Sequence, residues 1–292
     1  MNAGKYHFEM ALILRNAYLI SSILSSSEVW YGVTDADIRK LERIDEMLWS
    51  NILECSSSVP ADLIYLELGL LRIRDIIIIR RIMFLHHIMK QEKESLLFQF
   101  CLAQVRSPSH NDWVSQEIKD LEEIDLDIEF EDIENTSKEK FKDIVLSHVQ
   151  EYSFAALLKK KESRISDNAK GRNIIYKVQG MQNYLQETDI AITLDEKKWL
   201  FKCRTDDIDI KGNFCWKYES HSCISCKLDI LENNEHLLNC KQLLGRNEII
   251  SYIPSNKELF EDDLDEQVYV SRILRVNFSI RRTFLKEHNL LP

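Results

Sequence analysis

Apolar and polar residues alternate along the chain in the pattern of long helices with short connections. Residues 7 to 25 form a first helical stretch, and Thr34 and Asp37 form a second helix start. After that start an apolar residue recurs every three or four positions, at Ile38, Leu41, Ile44, Leu48, Trp49, Ile52 and Leu53. This stripe predicts an amphipathic helix that buries one face.

Two further apolar stretches precede residue 106. Pro60 starts a short segment that ends at Gly69, and residues 72 to 105 form a longer stretch that contains "DIIIIRRIMFLHHIM". The four isoleucines would also suit a buried strand, but the length and the flanking helix formers favour a buried helix. Charged residues interrupt the region and exclude a membrane span: Glu67, Arg72, Arg74, Asp75, Arg80 and Arg81.

The second half of the chain continues the helical pattern after a connection at "RSPSHNDW". Residues 112 to 134 are expected to form short helix and loop at the surface. Further helices are predicted at 136–162, 172–187, 195–204, 241–252 and 267–287. The fold class expected from these elements is mostly α.

Composition agrees with a helical globular protein. The chain has 292 residues, of which 45% are hydrophobic, and only 7 glycines and 4 prolines. This length and apolar content suffice for a sizeable core, and so few glycines and prolines argue against a many-turned β fold. The start, "MNAGKYHFEM", lacks the pattern of a signal peptide, so we expect an intracellular protein, nuclear or cytoplasmic.

Charge is unevenly distributed along the chain. The formal net charge is −10, and the segment from Asp112 to Glu134 holds eleven acidic residues and one basic residue, which accounts for all of it. Basic residues cluster in two other places, where they are candidate contacts for nucleic-acid phosphates. The first cluster contains Lys159, Lys160, Lys161, Arg164, Lys170 and Arg172, and the second contains Arg272, Arg275, Arg281, Arg282 and Lys286. For any one cluster a solvated helix face is the more common explanation.

The segment "SCISCKLDILENNEHLLNC" carries the candidate chemistry. Cys223 and Cys226 have the spacing of a short thiolate knuckle, and His236 and Cys240 lie four positions apart on one face of a short helix. Together they predict a tetrahedral zinc site, and the seven cysteines indicate a reducing compartment. Four protein ligands leave no position for water, so the predicted zinc is structural.

Several phrases, read in order, resemble the region that follows the polymerase core in reverse transcriptases of non-LTR retrotransposons. "ILRNAYLISSILSSSEVWYGVTDADIRKLERIDEMLWSNIL" is similar to the thumb of that family, with Glu28, Trp30 and Tyr31 in the place of an E-x-W-Y phrase. "LIYLELGLLRIRDIIIIRRIMFLHHIMKQEKESLL" resembles the segment after it, where E-L-G precedes an Arg-Arg helix. "YKVQGMQNYL", "FKCRTDDIDIKGNF" and "EHLL" are similar to the stretch around the family's Cys-Cys-His-Cys finger.

The resemblance implies an organisation and a function. Residues 1–58 would be a thumb-like segment, 59–194 a helical linker that includes the acidic residues 112–134, and 195–292 a zinc-finger subdomain with a terminal helix. The zinc ligands would be Cys223, Cys226, His236 and Cys240. The family more often places four residues between the histidine and the last cysteine, so His221 and Cys215 stay open as substitutes. Such a region would bind RNA template or target DNA, next to an upstream polymerase domain and away from any membrane.

Catalysis is not expected from this chain alone. "FEDD", from Phe260 to Asp263, matches the aromatic-x-Asp-Asp pattern of a polymerase palm, whose carboxylates bind two magnesium ions. Here it follows the thumb-like segment and lies in an acidic run, so we interpret it as a surface stretch. Asp206 and Asp207 lack the aromatic residue. A different class of function is an α-helical protein-interaction module in which the zinc is purely structural, which the overall acidity favours.

Overall fold

A computed structural model of the chain describes residues 8–107, 109, 112–164, 170, 174, 176, 180–186, 192–210, 222–223, 225–226, 228, 230–244, 256–260 and 263–287. The mostly α fold predicted from the sequence is confirmed. Within these residues the strand-like pairings are two isolated antiparallel bridges, Leu68 with Met181 and Ser222 with Leu231.

The helices follow one another in this order along the chain. The first half contains α1 (Phe8–Leu14), a π-helical turn (Arg15–Ile20), α2 (Ser21–Ile23), a 3-10 turn (Ser27–Val29), α3 (Asp35–Leu53), α4 (Ala61–Leu68), α5 (Ile73–Met89) and α6 (Leu96–Arg106). The second half contains α7 (Trp113–Glu123), α8 (Phe130–Asn135), α9 (Lys138–Glu162), α10 (Leu194–Arg204), α11 (Asn234–Asn239), α12 (Lys241–Leu244), a 3-10 turn (Asn256–Phe260) and α13 (Leu264–Glu287).

The chain divides into two compact units whose segments alternate in sequence. The C-terminal unit combines Met1–Ala11, Trp49–Leu68 and Lys160–Pro292, and the central unit combines Leu12–Leu48 and Gly69–Lys159. The C-terminal unit contains residues from all three consecutive segments expected from the sequence, and the central unit contains residues from the first two. Two long helices, α3 and α9, contribute residues to both units.

Local signals determined several helix boundaries. Thr34 accepts a hydrogen bond from the Asp37 backbone N–H at 3.3 Å and donates its hydroxyl to the Asp37 carboxylate at 2.6 Å, so this start of α3 is confirmed. Gly69 ends α4 with a φ of +62°, a left-handed conformation that glycine adopts at little cost.

Two helix predictions were wrong in detail. The apolar stretch 72–105 is interrupted between α5 and α6, because the Ser95 side chain accepts a hydrogen bond from the Phe98 N–H at 3.2 Å and caps a new helix. The expected helix at 172–187 is absent from the residues described there, which instead include a turn around Tyr184. Of the helix expected at 241–252, residues 245 to 252 lie outside the described part.

The isoleucine stretch is helical and forms the centre of the central unit. Ile78, Ile82 and Leu85 on α5 pack with Val145 and Val149 on α9, and all five side chains are buried. His86 is buried in the same unit, where its ring stacks on Phe141 with the ring centroids 4.8 Å apart. This agrees with a packing role for His86 rather than a chemical one.

The acidic segment is not a surface stretch throughout, which corrects the expectation from the sequence. Glu117 and Asp120 on α7 are buried, and Asp120 accepts two hydrogen bonds of 2.7 Å from Arg81 on α5. The apolar residues between the acids explain this, because Leu121, Ile124, Leu126 and Ile133 belong to the core of the central unit. Because these apolar side chains are buried, the neighbouring carboxylates of Glu117 and Asp120 are buried as well, and Arg81 pairs with Asp120.

No helix among the described residues is both long enough and apolar enough to cross a membrane.

Candidate metal centre

The structure brings the four predicted ligands together. Cys223, Cys226, His236 and Cys240 each offer one ligand atom, and these four atoms all lie within 4.8 Å of one another. Cys223 and Cys240 are buried, and the other two residues are partly exposed. The arrangement could hold a metal ion. Cys215 and His221, the substitutes left open by the sequence, lie outside the described residues.

Two of the ligand separations match the edges of a zinc tetrahedron. The Sγ atoms of Cys223 and Cys240 are 3.9 Å apart, and Cys226 Sγ lies 3.5 Å from His236 Nε2. With zinc bonds of about 2.3 Å to sulfur and about 2.0 Å to nitrogen, the corresponding tetrahedral edges are about 3.8 Å and about 3.5 Å. The donor set and these two separations are therefore compatible with a zinc ion.

Short local structures position the ligands. Cys223 follows the bridge between Ser222 and Leu231, and its backbone N–H donates to the Ile230 carbonyl at 3.0 Å. His236 lies in the first turn of α11, where its N–H donates to the Asn233 side chain at 2.8 Å. Cys240 is the C-terminal cap of that helix. One knuckle and one six-residue helix thus supply two ligands each.

Contacts to sulfur shift the pKa values of Cys223 and Cys240 in opposite directions. The interaction with Cys223, followed by the backbone N–H groups of Leu243 and Gln242, lowers the pKa of Cys240, although burial opposes this. The same thiol contact and burial raise the pKa of Cys223, while the Cys226 N–H lowers it.

Buried polar contacts fix the candidate site to α10 and α13. The side chain of Asn234 donates to the Cys203 carbonyl at 2.9 Å and to Asp206 at 3.1 Å. Asn277 donates to the Leu237 carbonyl at 3.0 Å, next to His236. These contacts were missed from the sequence, where an isolated asparagine gives no signal of its partner.

Arg281 makes the strongest of these contacts and changes its assignment. Its guanidinium forms two hydrogen bonds with Glu232, of 2.9 Å and 2.6 Å, and Arg281 is 2% exposed. The predicted phosphate contact at this position is therefore a buried ion pair beside the metal ligands. Lys170 is similar: it is 7% exposed and pairs with Asp207 at 2.6 Å. Neither side chain is accessible to a phosphate in this conformation.

The remaining candidate phosphate contacts differ in exposure and in their ion pairs. Lys159 and Lys160 are exposed at the end of α9, Lys161 is half-buried, and Arg164 pairs with Asp62. Arg172 lies outside the described residues. On α13, Arg272 pairs with Glu196 at 2.7 Å and is half-exposed, while the other three basic side chains of this face are exposed: Arg275, Arg282 and Lys286.

Asp263 and Asp207, one residue from each acidic pair that was compared with a polymerase motif, accept hydrogen bonds within the fold. Asp263 accepts hydrogen bonds from the N–H groups of Asp265 and Glu266, at 2.9 Å and 3.2 Å, at the start of α13. Asp207 accepts from the Ser56 N–H at 2.8 Å in addition to its contact with Lys170. Asp262 lies outside the described residues.

The phrases that carry the family resemblance meet at one buried carboxylate, Glu67 of the "ELG" phrase. Tyr176 and Tyr184 donate to its two oxygens at 2.8 Å and 2.6 Å, and Arg204 Nε lies 3.2 Å from both. The three donors come from "YKVQGMQNYL" and "FKCRTDD". These quoted residues therefore form one polar network inside the C-terminal unit.

Comparisons of the chain with protein-family models, with curated proteins and with solved structures give no match.

Proposed function

We propose that this chain is the thumb, linker and zinc-finger region of a non-LTR retrotransposon reverse transcriptase, or a protein derived from one, and that it binds nucleic acid without catalysing a reaction. The network at Glu67 supports this assignment, because residues from three separate phrases of the resemblance depend on one another there.

Zinc is the metal proposed for Cys223, Cys226, His236 and Cys240. When bound, it supplies a tetrahedral crosslink between the knuckle and α11, and four protein ligands leave it no open position. Elemental analysis of protein purified without added metal should find one zinc per chain. A Cys223→Ser variant should lose it, whereas Cys55→Ser, which changes a cysteine outside the cluster, should keep it. Full zinc content in the Cys223→Ser protein would contradict the assignment.

The exposed basic face of α13 carries the proposal of nucleic-acid binding. Arg272, Arg275, Arg282 and Lys286 recur at intervals of three, seven and four residues, which places them along one side of the helix. The side chains that α13 buries are on its other side, among them Ile273, Leu274, Asn277 and Arg281. No acidic residue lies between Glu266 and Glu287. This side of the helix therefore carries only basic charges of its own over about 21 Å of its length, and Arg272 at one end is paired with Glu196.

Charge reversal on α13 tests the proposal against a control of equal net charge. Arg275→Glu with Arg282→Glu should weaken binding to RNA and DNA of any sequence, because both side chains would contact phosphates. Lys140→Glu with Lys142→Glu, two exposed positions on α9, changes the net charge equally and should leave affinity near that of the wild type. For duplex DNA, losing two phosphate contacts should also make the slope of log K against log salt concentration shallower by about 1.8.

Equal loss in both double variants would mean that only net charge matters, and undetectable binding by the wild type at low salt would remove the proposal. The second candidate function, an α-helical interaction module, would then be preferred. One observation favours that alternative independently: the central unit has an exposed apolar groove of about 440 Å³. Exposed apolar surface of this kind marks contact sites for other molecules more often than phosphate sites.

A further inference from the structure

The acidic segment 112–134 contains carboxylates that pair within the fold and carboxylates that do not. Asp120 pairs with Arg81, and Glu123 accepts a hydrogen bond from Arg74 at 2.7 Å. Four acids around the end of α7 are instead exposed, and none of them forms a salt bridge within the described part of the chain. These four acids are Glu122, Asp125, Asp127 and Glu129. Their negative charge is therefore available to another molecule.

The same four acids line one pocket of about 480 Å³ at the surface of the central unit. The rest of its lining is apolar and consists of Ile118, Leu121, Leu126, Ile128, Phe130 and Ile133. Three of these side chains are partly exposed and pack on the core, namely Ile118, Ile128 and Phe130. This lining, which lies wholly within the described residues, contains no basic side chain. The pocket therefore offers apolar surface and carboxylates to the same ligand.

The connection between α7 and α8 places the two kinds of side chain together. From Asp125 to Phe130, exposed acids alternate with apolar residues that are buried or half-buried. Asp125 has a left-handed φ of +53°, and the Leu126 N–H donates to the Leu121 carbonyl at 2.9 Å, a bond that closes the end of α7. The apolar residues thus attach the connection to the core, while its carboxylates point to solvent.

The end of α7 adds to the negative charge of the pocket. The C-terminal end of a helix carries a partial negative charge, which basic residues of the last turn normally offset. The last turn of α7 contains no basic residue, and it contains Glu122. The nearest basic residue in the sequence, Lys119, lies outside the lining of the pocket. A cation bound beside Glu122 is therefore stabilised by the carboxylates and by the helix end together.

We propose that this pocket binds a segment of a partner protein in which apolar side chains alternate with lysine or arginine. The apolar side chains of the segment contact Ile118, Ile128 and Phe130, and its basic side chains pair with the four carboxylates. Nucleic acids and anionic lipid surfaces carry the wrong charge for this pocket, and a free polyamine does not cover its apolar lining. The proposal concerns the central unit and does not depend on the nucleic-acid contact proposed for α13.

Three labelled peptides test both parts of the recognition on the full wild-type chain, by fluorescence anisotropy. The probe Lys-Leu-Arg-Phe-Lys-Leu-Arg should bind with a dissociation constant below about 100 µM. Replacing its apolar residues by serine should weaken binding at least about tenfold, because the apolar lining then stays in contact with water. Replacing its basic residues by glutamate should abolish binding, since like charges would face each other. Equal affinity for the first two peptides would overturn the proposal, because charge alone would then account for the binding.

A charge-neutralised variant tests the location of the site. Glu122→Gln with Asp127→Asn removes two of the four carboxylates at exposed positions and should weaken binding of the probe by about fivefold. Asp143→Asn with Glu151→Gln changes the net charge equally, at two exposed positions of α9 outside the pocket, and should leave the affinity unchanged. Equal weakening in both double variants would show that the general acidity of the chain attracts the peptide, and this would overturn the proposal. So would a wild type that does not bind the probe.

Discussion

Glu67 in the C-terminal unit and Glu117 in the central unit are both fully buried, but their surroundings are opposite. Three donors reach Glu67: the hydroxyls of Tyr176 and Tyr184 and the guanidinium of Arg204. Neither oxygen of Glu117 has a hydrogen-bond partner among the described residues, and the nearest cation, Arg81 Nε, is 3.7 Å away. The difference lies in how many donors each buried carboxylate receives.

The scarcity of donors around Glu117 affects the pKa of that carboxyl. Arg81 forms its two hydrogen bonds with Asp120 and none with Glu117, although both carboxylates are buried beside it. Burial, followed by the charge of Asp120, raises the pKa of Glu117 well above its ordinary value, although Arg81 opposes this. Glu117 therefore binds a proton more readily than an ordinary carboxyl does, whereas three donors reach Glu67.

Removing Arg204, the cation beside Glu67, should have the largest effect on stability. Arg204→Met leaves Glu67 buried beside two tyrosines without its cation, and it should destabilise the C-terminal unit by about 3–5 kcal/mol. Hydrogen exchange of α4 and α10, followed by mass spectrometry, would measure the loss. Arg272→Met, which removes a half-exposed ion pair with Glu196, should change stability by less than about 1 kcal/mol. Similar losses in the two variants would mean that the network contributes no more than a surface pair.

Removing one neutral donor should have an intermediate effect. Tyr184→Phe takes one hydrogen bond from the Glu67 carboxylate and should cost about 1.5–3 kcal/mol, the usual range for a hydrogen bond to a charged group. The same hydrogen-exchange measurement applies, and Tyr18→Phe is the control because that side chain is 71% exposed and should tolerate the change. Burial and the charge of Glu67 also raise the pKa of Tyr184, so its hydroxyl stays a donor in alkaline solution.

Substitution of Glu117 should have an effect of the opposite sign, which depends on pH. A carboxyl whose pKa is raised by folding binds its proton more tightly in the folded protein, so stability falls as pH rises above its ordinary pKa of 4.5. Glu117→Gln imitates the protonated form and removes this dependence. The wild type should therefore lose stability relative to the variant by up to about 1.4 kcal/mol per pH unit above that value.

Urea unfolding of both proteins at several pH values would measure this difference. The groups that face Glu117 are Arg81, Asp120 and the thiol of Cys101, whose pKa is raised to about 11 by burial and then by the charge of Glu117. Burial also raises the pKa of Asp120, so Asp120→Asn is the companion variant that separates the two carboxylates. A constant stability difference between wild type and Glu117→Gln from pH 5 to pH 8 would contradict the assignment of the proton to Glu117.

Local sequence signals were sufficient for much of the helical structure and for the ligands of the candidate metal site. The apolar stripe of α3 and its Thr34–Asp37 start were correctly read, because both depend on residues within one or two turns of each other. The four ligands come together as expected since each pair is local and the pairs are separated by only nine residues. Ser95 was overlooked as a cap, although its side chain was the available signal for the break between α5 and α6.

Only the tertiary structure decided the environment of each charge. The sequence does not distinguish Arg281 from Arg282. Arg281 is nevertheless buried against Glu232 and Arg282 is exposed, because adjacent residues of a helix point to different sides. The acidic run 112–134 likewise gives no sign that Asp120 pairs with Arg81 while Glu117 receives no hydrogen bond. Helix formation follows from neighbouring residues, whereas the energy of a buried charge depends on donors far along the chain that folding brings to it.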